Sequence, residues 1–117
     1  MSERPSGLSD EDFKLLTLAR GARARISASE GAAVRDETGR TYASASVALP
    51  SLKLTALQLC VAQAVAAGAQ GVEAALIVTD RAGTNHPGID ALRDLGGVDV
   101  PIVLANVVTD EISRTLT

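Results

Sequence analysis

Few side chains in this sequence are suited to metal or nucleophilic chemistry. The 117-residue chain contains one cysteine, Cys60, and one histidine, His86. A single cysteine cannot close an intramolecular disulfide or supply a multi-cysteine metal site by itself. Because Cys60 lies in a long apolar segment, we expect it to be a core residue. A zinc site built on several thiolates is therefore excluded by residue count alone.

His86, together with Asp80 and Asp90, forms the one group of mixed metal-ligand types along the chain. Imidazole and carboxylate groups together could bind zinc, so these three residues are the alternative candidate for a metal site. A histidine between polar neighbours in a surface loop needs no ligand to explain it, and we favour that interpretation. We therefore expect no bound metal and no other cofactor.

The hydroxyl groups do not indicate a nucleophile either. One histidine in the whole chain does not favour a hydrolytic triad, because a serine or threonine nucleophile needs a nearby base. Gly96-Gly97 is too short for a phosphate-binding loop and precedes a predicted strand instead of a helix, so it does not fit a nucleotide-binding motif.

Charge and hydropathy exclude two classes of partner. The formal net charge is -3 and the pI is about 5.0, so the chain has no general positive field for nucleic-acid phosphates. The first residues lack the apolar core of a signal peptide, and no run approaches the roughly 18 apolar residues of a membrane span. We expect a cytoplasmic protein that binds neither nucleic acid nor membrane.

The elements that must position these residues follow a regular order. We expect residues 1–8 to be a disordered leader and residues 9–117 to form one domain that begins with a helix capped by Ser9. The turn Asp36-Glu37-Thr38-Gly39 predicts a hairpin, and continuous apolar runs predict two central strands covered on both faces. The predicted ranges after the first helix are a hairpin at 31–34 and 41–49, a buried helix at 52–67, a strand at 72–79, a short helix at 89–95 and a strand at 100–105. This order predicts an α/β fold with a mixed sheet between layers of helices.

The order also carries a family resemblance. Gly31-Ala32-Ala33, the hairpin turn from Asp36 to Arg40 and the apolar helix ending Gln-Ala-Val-Ala-Ala-Gly together resemble the small cytidine deaminases over roughly residues 9–106. The resemblance implies a three-layer α/β/α sandwich, assembly as a homotetramer, and zinc-dependent hydrolysis of cytidine to uridine.

The catalytic residue types of that family are missing at the matching positions. The family holds zinc through a Cys-Ala-Glu or His-Ala-Glu motif and a later Pro-Cys-x-x-Cys, and the glutamate shuttles protons. The matching stretches here are Thr55-Ala56-Leu57 and Pro87-Gly88-Ile89-Asp90-Ala91. In this alignment Thr55, Gly88 and Ala91 replace the zinc ligands and Leu57 replaces the glutamate. A threonine hydroxyl is not a usual zinc ligand, glycine and alanine have no side-chain donor, and leucine cannot exchange a proton.

The substrate side of the family site is altered as well. The Asn-x-Glu that holds the ribose in the family falls on Ser46-Val47-Ala48, and Ala28 lies near the place of the base-stacking aromatic. A residual cleft would be lined by Ser44, Ser46 and Thr55. The preferred hypothesis is therefore an inactive deaminase-like protein that acts as a scaffold or binds an unidentified protein partner.

The apolar helix predicted at 52–67 bears on assembly. We expect it to be buried all round, either by other elements of the chain or by a second subunit, and the resemblance favours a homo-oligomer, dimeric or tetrameric. Two alternatives stay open: a deaminase-type hydrolase with a relocated site around His86, and a nucleoside-binding protein without turnover.

Overall fold

A computed structural model describes residues 7–117 of the chain, so most of the predicted leader, residues 1–6, lies outside the described residues. The last two leader residues are packed against the domain. Leu8 is buried, and the Arg114 guanidinium donates a hydrogen bond of 2.5 Å to the Gly7 carbonyl.

Among residues 7–117, three helices pack on the two faces of a mixed five-stranded sheet, which confirms the predicted fold class. The sheet order is β2-β1-β5-β6-β7, in which β5 and β6 are parallel and the other neighbours are antiparallel, while β3 and β4 form a separate hairpin. The helices are α1 (Asp10–Arg25), α2 (Ala56–Ala66) and α3 (Ile89–Gly96), and the strands are β1 (Gly31–Asp36), β2 (Thr41–Ala45), β3 (Val47–Leu49), β4 (Leu52–Leu54), β5 (Val72–Thr79), β6 (Pro101–Asn106) and β7 (Ile112–Leu116).

The two faces of the sheet build two separate cores. Successive strand residues point to opposite faces, so Leu76 packs under α1 with Leu15 and Leu16, whereas Ile77 packs under α2 and α3. Every residue of β5 except Glu73 is buried, as expected for a central strand covered on both sides. The result is three layers, with α1 on one side of the sheet and α2 and α3 on the other.

The first helix approaches the sheet closely at Gly31. A Cβ atom at this position would lie 2.2 Å from the Ala19 carbonyl oxygen and 2.9 Å from the Arg23 Cβ. Only glycine fits such a contact between a helix and a strand. This explains the glycine that opens the Gly31-Ala32-Ala33 segment.

The predicted hairpin between β1 and β2 is confirmed, and a buried carboxylate organises its turn. Asp36 Oδ1 accepts hydrogen bonds from the Thr38 amide (2.8 Å), the Thr38 hydroxyl (2.7 Å) and the Arg40 amide (3.0 Å), and Oδ2 accepts one from the Tyr42 hydroxyl (2.8 Å). Burial acts to raise the pKa of Asp36, but the hydrogen bonds from Thr38, Tyr42 and Arg40 outweigh it and lower the pKa to about 2.

Two predicted segments differ from the structure. Residues 52–67 are not one helix, because Leu52–Leu54 pairs with Val47–Leu49 as β4 and the helix begins only after Thr55. A capping box sets that start: the Thr55 hydroxyl accepts from the Gln58 amide (3.1 Å), and the Gln58 side-chain oxygen accepts from the Thr55 amide (2.9 Å). Residues 41–49 are likewise two strands, β2 and β3, in different sheets.

The rest of the chain does not cover the second helix on all sides, so of the two kinds of cover expected for it, the intrachain elements supply only a part. Ala62, Val65 and Ala66 are exposed, and Val65 is 56% accessible. The tail, which the sequence left ambiguous, adds β7 to the sheet edge beside β6. Within residues 7–117, none of the helices has both the length and the apolar character needed to cross a membrane.

Candidate functional site

The first turns of α2 and α3 meet, and the residues singled out from the sequence lie there. The Thr55 hydroxyl, which caps α2, donates a hydrogen bond of 3.1 Å to the Pro87 carbonyl. Gly88 is the N-cap of α3 and has a φ of 107°, a value that favours glycine. A Cβ atom at Gly88 would lie 3.1 Å from both the Leu57 Cβ and the Gln58 amide nitrogen. The structure therefore brings Thr55, Leu57 and Gly88 together.

The surroundings of these residues are apolar. Leu57 is 1% exposed and belongs to the core between the sheet and the two helices, and Ala91, on the first turn of α3, packs against the same core. At this junction the nearest groups are a hydroxyl already used twice in hydrogen bonds, a leucine side chain, a glycine and an alanine. Zinc in proteins is held by thiolate, imidazole or carboxylate ligands, and this set of side chains does not fit it.

Cys60 does not supply a thiolate to this junction. It lies three residues after Leu57 on α2, is fully buried, and its Sγ atom lies 3.4 Å from the Ala32 carbonyl oxygen, which accepts its hydrogen bond. Burial raises the pKa of the Cys60 thiol to about 12, so the thiol stays protonated near neutral pH. The expectation that Cys60 is a core residue agrees with this placement.

The alternative metal-ligand group is not assembled. His86 and Asp90 line one cleft, whereas Asp80 lines another. Within the part of the chain that the structure describes, no group of three or more His, Cys, Asp or Glu residues is placed to hold a metal ion. His86 is in a loop as expected, but it is buried, and its Nε2 atom donates to the Gly83 carbonyl at 3.1 Å.

The predicted residual cleft is present in part. A cleft of about 290 Å³, here called the hairpin cleft, lies between the start of β1, the β3–β4 hairpin and the start of α2. Ser46 and Thr55 line it, together with Lys53 and Gln58. Ser44 does not: its hydroxyl is buried and donates to the Ala45 carbonyl at 3.2 Å.

Sequence reasoning missed the charged group of this cleft. Glu30 lies just before β1 and is 8% exposed, and its Oε2 atom accepts a 2.5 Å hydrogen bond from the Thr79 hydroxyl. Arg81 Nε lies 3.8 Å from the same oxygen. Glu30, Asp80 and Arg81 all line the hairpin cleft, so acidic and basic groups face it together. The available signal was an isolated carboxylate directly before an apolar strand, where buried charge needs partners.

Comparisons with known proteins agree with this architecture. The family model described as "Cytidine deaminase-like" matches residues 8–109. The solved structure of cytidine deaminase from Burkholderia pseudomallei superposes with a TM-score of 0.76 at 22% sequence identity, covering 92% of this chain and 92% of that one. The structure of cytidine deaminase from Mycobacterium leprae superposes with a TM-score of 0.66 at 19% identity, covering 92% of this chain and 94% of that one. No curated protein matches the chain significantly by sequence. At these identities the superpositions establish the fold.

Proposed function

The chain belongs to the cytidine deaminase-like family, and we propose that it is a member without deaminase activity that serves as an oligomeric scaffold or binds a protein partner. The observation that carries the proposal is the contact between Gly88 and Leu57 at the junction of α2 and α3. The residue types there offer neither a metal ligand nor a proton-exchanging group. Hydrolytic deamination needs an activated water and a group that moves protons, and this junction provides neither.

Turnover and metal content test the proposal directly. The protein is purified from a host strain that lacks its own cytidine deaminase, incubated with zinc, dialysed and assayed for zinc content and for conversion of cytidine to uridine. We expect less than one-tenth of an equivalent of zinc and no turnover above the buffer control. About one equivalent of zinc, with turnover that a chelator abolishes, would overturn the proposal.

The exposed face of α2 supports the oligomeric part of the proposal. Val65 and Ala66 follow Ala62 by three and four residues, so the three share one face of the helix, and that face is apolar and exposed. We propose that a second copy of this chain covers it. Light scattering of the 12.0 kDa chain should give a dimer or tetramer, and Val65→Glu should shift the mass towards the monomer. Val98→Glu, at an exposed valine outside α2, is the matched control. A wild-type monomer at about 100 µM protein would contradict this part.

A second candidate function is small-molecule binding without turnover, and the network around Glu30 favours it. A buried carboxylate beside Thr79 and Arg81, at the edge of the hairpin cleft, could recognise the hydroxyl or amino groups of a nucleoside. Calorimetry with cytidine and uridine tests this function, and Glu30→Gln should weaken any binding at least tenfold. No heat at millimolar ligand would rule it out. A hydrolase relocated to His86 has less support, because Asp80 lies in a different cleft from His86 and Asp90.

A further inference from the structure

Among residues 7–117, the two buried carboxylates, Asp36 and Glu30, differ in how fully they are paired. Asp36 is 2% exposed and accepts hydrogen bonds on both of its oxygens, three on Oδ1 and one on Oδ2. Glu30 is 8% exposed and accepts one side-chain hydrogen bond, from the Thr79 hydroxyl to Oε2, and Arg81 Nε lies 3.8 Å from the same oxygen. Its other oxygen, Oε1, accepts no hydrogen bond from residues 7–117. Glu30 therefore keeps acceptor capacity that Asp36 has already used.

The unused oxygen of Glu30 is open to a molecule in the hairpin cleft. Within residues 7–117, the polar side-chain atoms sealed from solvent without a partner are Arg35 Nη1 and His86 Nδ1. Glu30 Oε1 also has no partner but is not sealed, and Glu30 lines the hairpin cleft. A cationic donor suits this oxygen best, because a charge-assisted hydrogen bond is about twice as strong as a neutral one.

The charges of the hairpin cleft indicate what else a ligand should carry. Glu30 and Asp80 are acidic and Lys53 and Arg81 are basic, so the charges of the walls cancel. Arg81 is engaged with Glu30, whereas neither Asp80 nor Lys53 forms an ion pair within residues 7–117. An anion such as phosphate would face the unpaired Asp80, and a cation such as a polyamine would face the unpaired Lys53. A small molecule with one group of each sign meets both.

Gln58 and an apolar patch complete the walls of the cleft. The Gln58 side-chain oxygen accepts from the Thr55 amide, which fixes the side chain, and its Nε2 group donates no hydrogen bond within residues 7–117. Val47, Ala48 and Leu54 line the same cleft and suit an aliphatic group. The volume of about 290 Å³ is at the lower end of the roughly 300–1,000 Å³ found for small-molecule sites, so the ligand should be small.

We propose that the hairpin cleft binds a small zwitterion of the α-amino acid class, with an ammonium and a carboxylate group. The ammonium group donates to Glu30 Oε1 and pairs with Asp80, and the carboxylate pairs with Lys53 and accepts from Gln58 Nε2. The proposal rests on the second candidate function, since both need the cleft to bind a small molecule, but it selects a zwitterion over a neutral nucleoside.

Two amino acids and two derivatives that lack one charge test the proposal. The probes are glycine and L-valine, together with L-valinamide, which keeps the ammonium group, and N-acetyl-L-valine, which keeps the carboxylate. Each is titrated into ¹⁵N-labelled protein at pH 7.0 and constant ionic strength, and the amide resonances, including the Gln58 side-chain amide, are followed by NMR. We expect a saturable shift with at least one amino acid at a Kd of about 1–10 mM, and at least tenfold weaker binding of both derivatives.

The two lysines of the chain provide a matched pair of variants. Lys53→Met should weaken binding of the amino acid about tenfold, because it removes the partner of the carboxylate. Lys14→Met, at the other lysine, which is exposed on α1, should leave binding unchanged. Glu30→Gln should weaken binding at least as much as Lys53→Met. Since Lys53 is exposed, its variant tests the site even if Glu30→Gln lowers the stability of the fold.

Three results would overturn the proposal. The first is no saturable shift with either amino acid up to 50 mM, which is expected if water alone fills the cleft. The second is equal binding of L-valine and its two derivatives. The third is equal weakening by Lys53→Met and Lys14→Met, which would indicate a general effect of charge. Cytidine is titrated in parallel: if it binds and the amino acids do not, the zwitterion is the wrong class but the cleft still binds a small molecule, and if none of them binds, the second candidate function is wrong as well.

Discussion

Replacing Leu57 by glutamate introduces the residue type that the family resemblance places at this position, and it measures how completely the side chain is sealed in the core. Leu57 is 1% exposed and faces Gly88 across the junction of α2 and α3. Burying a leucine side chain is worth about 1.5–3 kcal/mol. Burying an unpaired carboxyl group, even a protonated one, costs about 1–3 kcal/mol more. We therefore expect Leu57→Glu to reduce the free energy of unfolding by about 2.5–6 kcal/mol, a large part of the roughly 5–15 kcal/mol typical of a domain.

Urea unfolding followed by circular dichroism measures this loss. With an m-value of about 1.5 kcal/mol/M, the unfolding midpoint of Leu57→Glu should fall by about 2–4 M. Leu57→Met conserves volume and should cost less than about 1.5 kcal/mol. Leu57→Gln separates lost burial from charge. Because burial favours the neutral carboxyl, the penalty of the glutamate variant should be smaller at pH 4 than at pH 8, whereas that of the glutamine variant should not change.

Two outcomes would refute the reasoning. If Leu57→Glu unfolds within about 0.5 kcal/mol of the wild type, the side chain at this position is not sealed in a core. If the variant gains bound zinc or deaminates cytidine, the junction retains a metal site that its residue types do not indicate.

Three further perturbations test other parts of the structure. Gly31→Ala should destabilise the fold by about 1–3 kcal/mol, because its Cβ would lie 2.2 Å from the Ala19 carbonyl oxygen. Gly71→Ala is the control and should change the urea midpoint little, because the nearest atom to its Cβ would be 3.6 Å away. Equal urea midpoints for the two variants would contradict the close contact of α1 with β1. The Asp36 carboxyl has its pKa lowered from 3.8 to about 2, so its contribution to stability is complete above pH 4 and is lost as the pH falls towards 2. Asp36→Asn should remove that part of the pH dependence of the urea midpoint, and an unchanged profile would be evidence against the hydrogen-bonded carboxylate. The Cys60 thiol is buried and has a pKa of about 12, so in the native protein it should react with a thiol reagent at pH 8 only as fast as the protein opens. In urea the same thiol should react within seconds. Fast labelling of the native protein would show that the Cys60 thiol is accessible.

The sequence predicted the central elements well because their patterns are unambiguous. The apolar run at 72–79 matches β5 residue for residue, since a strand covered on both faces is nearly continuously apolar, here with Glu73 as its exposed position. The helix predicted from residue 52 failed because Leu52-Lys53-Leu54 is too short an apolar stretch for periodicity to separate strand from helix. The local evidence for the true start was Thr55 followed three residues later by Gln58, a capping-box pattern.

Contacts between residues far apart in the chain are the part of the candidate site that the sequence does not indicate. Thr55, Leu57 and Gly88 were singled out by the family resemblance, and the structure brings them together at the starts of α2 and α3. Glu30 and Thr79 are 49 residues apart, and nothing local to either indicates their hydrogen bond. The burial of His86 was not predicted either, because the polar neighbours of a residue in sequence do not indicate which distant parts of the fold pack against it.

At the junction of α2 and α3 this chain has the fold of the family but different residue types from those that bind zinc in the cytidine deaminases. In the cytidine deaminases the motifs at these two helix starts are joined through zinc. Here the same two starts are joined by the hydrogen bond from Thr55 to the Pro87 carbonyl and by the packing of Gly88 on Leu57. Such contacts hold the two helix starts together without a metal ligand at this junction. Beside this junction, in the wall of the hairpin cleft, the buried Glu30 carboxylate accepts a hydrogen bond from the Thr79 hydroxyl and lies 3.8 Å from Arg81 Nε, and these partners offset the cost of burying its charge. A charged network that lines the hairpin cleft next to an apolar junction is therefore the reason to test that cleft for a ligand, in a protein that we propose has no reaction.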